Sequence, residues 1–226
     1  MGDFLLVSGV DTVIAGWGSS EIRRRAAAVG LLVGPWLYMI GELIHHQAPG
    51  LPVRAAAVAL AGLVLWVAGI LGIVHLLRRD LDRFGLLGGG LALLGLIAVS
   101  NIMLLQAVFV LVEMKADNYP DVVDGIFRYV LSITYLFGPV FPLGLFILGL
   151  GVIRSRRFPT WAAFVFTIGA LSFPVGRIGG VPLLIHLADL VLAIGSTGLG
   201  LAVWRRPGLW RGAQVERPNG PEPSSL

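Results

Sequence analysis

The chain has no cysteine and little charge. None of its 226 residues is cysteine, so disulfides, thiolate catalysis and cysteine-ligated metal sites are excluded. Only 13% of the residues are charged, whereas a soluble domain carries about 25%. The sequence also holds no P-loop, no dinucleotide-binding glycine pattern and no G-x-S-x-G motif. These absences argue against a soluble enzyme that uses a nucleotide or a thiol.

Apolar residues make up 56% of the chain, and the mean hydropathy is +0.85. They come in runs of about 20 residues, the length that crosses a bilayer as a helix. In lipid each run must be helical, because its backbone groups have to pair within the segment. The sequence therefore predicts an all-α polytopic bundle with six transmembrane helices, at residues 26–46, 55–77, 87–112, 127–152, 160–178 and 181–204.

The predicted domain organisation has three parts. Residues 1–25 form a cytoplasmic or interfacial segment, and residues 26–204 form the transmembrane domain. Residues 205–226 are polar and rich in proline, a composition typical of a disordered tail. Prolines 139 and 142 are expected to bend the fourth span.

The basic residues predict the orientation. One end of the spans carries 13 of the 17 Lys and Arg residues, namely Arg23, Arg24, Arg25, Arg78, Arg79, Arg83, Arg154, Arg156, Arg157, Arg205, Arg206, Arg211 and Arg217. The positive-inside rule then places both termini in the cytoplasm of a multi-pass plasma-membrane protein. Because these clusters lack interleaved aromatics, the expected partners are membrane lipids and not nucleic acid.

The ionisable residues within the spans gather in the predicted outer half of the bundle. Glu42, His45 and His46 are spaced i, i+3 and i+4 on the first span, so they share one helix face. His186 and Asp189 share a face of the last span in the same way. Such groups are costly in a membrane and normally face the bundle interior in pairs. We therefore predict an outward-facing pocket with these two faces as walls.

Glu42 and Asp189 are the predicted catalytic acids. Each either pairs with a cation, Arg177 or a protonated histidine, or is kept protonated by desolvation. A buried protonated acid can donate a proton to a substrate that water does not reach. The predicted supporting or substrate-binding residues are Trp36, Tyr38, His45, His46, Asn101, Gln106, Tyr135, Arg177 and His186. Aromatic faces among them would stabilise a carbocation.

Other interpretations of the same residues stay open. Histidine, Asp and Glu side chains are ligands for zinc or iron, so His45, His46, His186 and Asp189, with Glu42, are an alternative metal-ligand set for a membrane hydrolase. Asn101 and Gln106 could instead be interhelical hydrogen-bonding residues. A non-catalytic binder or transporter is a third alternative. Many transporters are built from two structural repeats, and a homo-oligomer of this chain would supply the second one.

Three stretches carry a resemblance to a known family. Residues 24–32 read RRAAAVGLL and open a span that has an acid near its end. Residues 141–145 read FPLGL, and residues 154–159 read RSRRFP. Across residues 24–204 the chain resembles an uncharacterised bacterial family of six-span membrane proteins. This resemblance implies a six-helix bundle and brings no chemistry with it.

The chain is also similar, in size and helical density, to small membrane-integrated terpene cyclases of fungal and actinobacterial pathways. Those enzymes are thought to protonate an alkene or epoxide with one acid in an early helix and one in a late helix. Glu42 and Asp189 match these two positions. This resemblance implies proton-initiated cyclisation of a hydrophobic, isoprenoid or lipid-like substrate, without a cofactor.

Overall fold

A computed structural model describes residues 20–47, 52–78, 83–113, 125, 128, 132 and 138–206. All regular structure in these ranges is helical, which confirms the all-α prediction. Six helices are described along their length: α1 (Ser20–Gln47), α2 (Pro52–Leu77), α3 (Arg83–Glu113), α4 (Val140–Ser155), α5 (Thr160–Gly179) and α6 (Pro182–Arg205). Helix α1 begins within the segment predicted to precede the transmembrane domain, so Arg23 to Arg25 belong to its first turns.

Five of the six helices, all except α4, are long and apolar enough to cross a membrane. Their exposed faces carry large apolar side chains, among them Val64, Phe84 and Ile178. Exposed apolar surface on every side is the opposite of what a soluble bundle shows, and it matches contact with lipid. These helices support the prediction of a membrane protein.

The fourth predicted span, residues 127–152, is described continuously only from residue 138 onward, and most of its first part lies outside the described residues. Helix α4 has 16 residues and begins at Val140, after Pro139. The Pro139 carbonyl accepts a hydrogen bond from the Leu143 N–H at 3.1 Å, so it opens the new helix. Proline has no N–H to bond back to the preceding turn, which favours a boundary at this point. The six-span count therefore stays a prediction.

The helices pack as a ring in chain order. Each described helix contacts the next one along the chain, and α6 packs against α1. Glycine allows the closest of these approaches: a Cβ atom at Gly34 of α1 would lie 2.8 Å from the Trp66 backbone nitrogen of α2 and 2.9 Å from the Gly62 carbonyl oxygen. The packing of α1 on α2 thus depends on small residues at the contact.

Four buried aromatic side chains, each from a different helix, pack together inside the ring. Tyr38 of α1 lies 6.4 Å, between ring centroids, from both Trp66 of α2 and Phe173 of α5. Phe141 of α4 meets Trp66 edge to face at 5.5 Å and Phe173 at 5.3 Å. These separations are those of favourable aromatic pairs. The aromatic cluster joins α1, α2, α4 and α5 and forms the floor below the candidate site.

The two terminal helices of the ring are joined at the arginine-rich end. The Arg24 guanidinium donates to the carbonyl oxygens of Val203 at 3.1 Å and Trp204 at 2.6 Å, in the last turn of α6. The last carbonyls of a helix lack intrahelical partners, and a cation there also suits the helix dipole. Arg24 therefore caps α6 from α1, while Glu21 holds the guanidinium through a hydrogen bond of 2.8 Å.

Candidate functional site

An ion-pair cluster joins α1, α5 and α6 near the end of the bundle opposite Arg24. Nη1 of Arg177 donates to Oδ1 of Asp189 at 3.0 Å, and Nη2 donates to Oδ2 at 3.4 Å. The same Nη2 lies 3.8 Å from Oε2 of Glu42. The structure thus brings together the two acids predicted to be catalytic, beside one guanidinium.

The turn between α5 and α6 positions this pair. Helix α5 ends at Gly179, and Gly180 adopts a left-handed conformation, φ 62°, that suits glycine. Its N–H donates to the Arg177 carbonyl at 3.3 Å. Helix α6 starts directly afterwards with Pro182, a residue favoured in the first turn. The short turn makes the helices antiparallel neighbours, so Arg177 and Asp189 face each other.

Two aromatic side chains of the floor complete the surroundings of the guanidinium. Nη2 of Arg177 donates to the Tyr38 hydroxyl oxygen at 2.9 Å. The guanidinium carbon lies 3.6 Å from the centroid of the Phe173 ring, a cation–π contact. Arg177 therefore has hydrogen-bond acceptors around its edge and an aromatic face beneath it. We name the set Tyr38, Glu42, Phe173, Arg177 and Asp189 the charge cluster.

The two acids are not equivalent. The Asp189 side chain is 1% exposed and accepts two hydrogen bonds from Arg177. The Glu42 side chain is 12% exposed and approaches Arg177 only at 3.8 Å, beyond hydrogen-bonding distance. Asp189 is thus the paired carboxylate, and Glu42 is the acid with an accessible and weakly satisfied carboxyl group.

Histidines lie next to the charge cluster, toward the end of α1. His46 is exposed, and its Nδ1 donates to the Glu42 carbonyl oxygen at 2.9 Å. Its ring meets the ring of His186 edge to face, 5.1 Å between centroids, while His45 lies 5.6 Å from His46. Nδ1 of His186 is buried, and no described residue hydrogen-bonds to it. The structure therefore joins the histidines of α1 and α6.

The remaining predicted site residues are placed differently. Trp36 faces α6, where its Nε1 donates to the Thr197 hydroxyl at 2.8 Å, so it is an interhelical contact and not part of the charge cluster. Asn101 is exposed on α3. The side chain of Gln106 and the whole of Tyr135 lie outside the described residues.

The alternative metal-ligand set does not converge. Within the described ranges, which include Glu42 and every predicted ligand, no three His, Asp or Glu side chains are close enough together to hold a metal ion. Arg177 lies beside Glu42 and Asp189, and a guanidinium beside two carboxylates competes with any cation for their oxygens. The geometry is that of an ion-pair site.

Sequence reasoning missed Trp66 and Phe141 as part of the floor, because their apolar surroundings carry no polar signal. The charge cluster places two carboxyl groups of different exposure beside one guanidinium. No family model matches the chain, and neither a curated protein nor a solved structure matches it.

Proposed function

We propose that the chain is an integral membrane enzyme that protonates an isoprenoid or other lipid-like substrate, with Glu42 as the proton donor. The observation that carries this proposal is the imbalance of the charge cluster, in which two carboxyl groups share the single guanidinium of Arg177. A net negative charge inside a membrane bundle is costly. One added proton removes that charge.

The added proton belongs on Glu42. Asp189 accepts two hydrogen bonds from Arg177, so its carboxyl oxygens already have charged donors. Glu42 has no such bond and is the more accessible of the two. Asp189 and Arg177 then act as positioning residues, and Glu42 alone is the acid that meets the substrate. The two acids predicted from sequence thereby take different roles.

The reaction is proton-initiated isomerisation or cyclisation. The O–H bond of Glu42 breaks as a C–H bond forms on an alkene carbon, or as an epoxide oxygen is protonated. The resulting carbocation loses a proton from a neighbouring carbon to water, which restores an alkene, so no redox cofactor is needed. The face of Phe173 is already occupied by Arg177, so we assign this ring to the guanidinium and not to the carbocation.

A deuterium-incorporation assay tests the proposal. The protein is reconstituted into liposomes in D2O with a geranylgeranylated phenol, whose alkene carbons can accept a deuteron, and the products are analysed by mass spectrometry. The wild type should yield an isomeric product with one carbon-bound deuterium, and Glu42→Gln should abolish it. Glu21→Gln removes a carboxylate from the other end of the same helix and is the matched control. A wild type without deuterated product, or an active Glu42→Gln variant, would overturn the proposal.

We also propose six membrane spans, with both termini in the cytoplasm of a plasma-membrane protein. The absence of native cysteine makes a single-cysteine labelling test direct. Gln47 and Thr160 are exposed at opposite ends of the bundle. A membrane-impermeant maleimide should label Gln47→Cys in intact cells and Thr160→Cys only after permeabilisation. The reverse pattern would place the termini outside.

A further inference from the structure

We propose that His46 and His186 form a proton inlet, which returns a proton from the aqueous boundary to Glu42 after each turnover. This inference rests on the proposed function, because an acid that gives its proton to a substrate has to be reprotonated. The observation that supports the inlet does not depend on the charge imbalance from which the protonation of Glu42 was argued. It is the ring contact of an exposed histidine on α1 with a histidine on α6 whose Nδ1 is buried.

His46 is suited to take up the proton. Its Nδ1 donates to the Glu42 carbonyl at 2.9 Å, which fixes the tautomer and leaves Nε2 as the basic nitrogen. The residue is exposed at the end of α1, together with His45 and Gln47. Nε2 can therefore receive a proton from water without breaking the contact that holds the ring.

His186 lies beside His46 and one helical turn before Asp189 on α6. His46 stands four residues beyond Glu42 on α1, and His186 stands three residues before Asp189 on α6, so each histidine lies about one helical turn from an acid on the same face. The two rings are 5.1 Å apart at their centroids. The ring contact thus links the exposed end of α1 with the helix face that carries Asp189.

The buried Nδ1 of His186 has an unused hydrogen-bonding capacity. Buried polar atoms are nearly always satisfied, and those that are not require an explanation. A nitrogen that passes a proton inward needs to be free of a fixed partner among the described side chains, as this one is. The titratable and charged residues around His186 on the three helices of the site are Glu42, His45 and His46 on α1, Arg177 on α5 and Asp189 on α6.

The proton balance is simple. A hydronium ion at the aqueous boundary gives a proton to Nε2 of His46, and the same nitrogen releases it to the adjacent imidazole of His186, so that Nδ1 of His46 keeps its hydrogen bond to the Glu42 carbonyl. An imidazole accepts a proton on one ring nitrogen and releases one from the other, so Nδ1 of His186 can deliver a proton to the charge cluster. There it restores the O–H bond of Glu42, and both imidazoles return to their neutral form.

Infrared spectroscopy of the reconstituted protein, without substrate, tests the inlet. A protonated carboxyl group has a C=O stretch that shifts on transfer from H2O to D2O, and the band of Glu42 is identified by its loss in Glu42→Gln. In the wild type this band should shift rapidly. His46→Gln and His186→Gln should slow the shift by about tenfold or more, since a positioned proton carrier is removed. Gln47→Ala, which changes an exposed side chain one position beyond His46, should leave the rate unchanged.

A second measurement separates a proton carrier from a structural histidine. In His186→Ala, added imidazole should restore the exchange rate, whereas lost folding would not be rescued by imidazole. Equal exchange rates in the wild type and both histidine variants overturn the inlet but leave Glu42 as a protonated acid. Absence of a protonated-carboxyl band that depends on Glu42 would instead overturn the proposed function, so the two failures are distinguishable.

Discussion

Arg177 and Asp189, twelve residues apart on α5 and α6, form a two-bond ion pair with N–O distances of 3.0 and 3.4 Å. A planar guanidinium can satisfy several acceptors at once in a fixed geometry, which a lysine ammonium cannot reproduce. Arg177 uses this property to hold Asp189, to bond the Tyr38 hydroxyl and to lie against Phe173. One side chain of α5 thereby bonds to residues of both α1 and α6.

Replacing Arg177 alone should lower the free energy of unfolding more than replacing both Arg177 and Asp189. Arg177→Gln leaves the Asp189 carboxylate buried without its partner, and breaking a buried pair in this way costs about 3–5 kcal/mol. The double variant Arg177→Gln with Asp189→Asn has no unpaired charge and should regain part of that loss. Thermal unfolding in detergent measures both variants. Asp189→Asn alone completes the cycle. If the destabilisation of the double variant equals the sum of the destabilisations of Arg177→Gln and Asp189→Asn, the two residues are not coupled.

Arg24 and Arg25 offer a matched comparison at the opposite end of the bundle. Arg24 is buried and bonds two carbonyls of α6, whereas Arg25 has a side chain 63% exposed and pairs with Glu21 on its own helix. Arg24→Gln should lower the free energy of unfolding by about 1.5–3 kcal/mol, as expected for hydrogen bonds to a charged group. Arg25→Gln should change it by less than about 1 kcal/mol. Equal effects in denaturant unfolding would contradict the capping role of Arg24.

The charge cluster could be anticipated only in part. Spacing along one helix places Glu42 with His46, and His186 with Asp189, because side chains three or four residues apart share a helix face. Whether the two faces meet depends on how α1, α5 and α6 pack, and this is decided by small residues and the turn at Gly180. The sequence therefore predicted the walls of the site but left open whether Arg177 or a histidine paired with each acid.

The helices themselves were easier to predict because length and hydropathy determine what can cross lipid. Span boundaries were predicted to within a few residues for α2, α5 and α6. The fourth span allows no such comparison at its start, because most of residues 127–137 lie outside the described residues and helix α4 is described from Val140. The role of Trp36 was also missed, since an indole can bond any acceptor within reach and the sequence does not specify Thr197.

The hydrogen bond between Trp36 and Thr197 should contribute modestly to the packing of α1 on α6. The donor–acceptor distance is 2.8 Å, and interhelical hydrogen bonds in membrane proteins average about 0.6 kcal/mol in double-mutant cycles. Trp36→Phe and Thr197→Val should each lower the free energy of unfolding. The loss in the double variant should be smaller than the sum of the two single losses by about 0.6 kcal/mol. Full additivity in the cycle would indicate that the bond makes no net contribution.

Gly34 and Gly90 provide the sharpest test of the helix packing. A Cβ atom at Gly34 would meet the Trp66 backbone nitrogen at 2.8 Å, whereas a Cβ atom at Gly90 would meet nothing within 4 Å. Because the obstacle at Gly34 is backbone, α1 and α2 would have to separate, and Gly34→Ala should cost about 1–3 kcal/mol as an overpacking substitution. Gly90→Ala should be neutral or stabilising, since alanine is the better helix former. Both variants carry the same added methyl group, so thermal unfolding in detergent compares the two environments directly. A Gly34→Ala protein as stable as Gly90→Ala would contradict the close packing of α1 on α2.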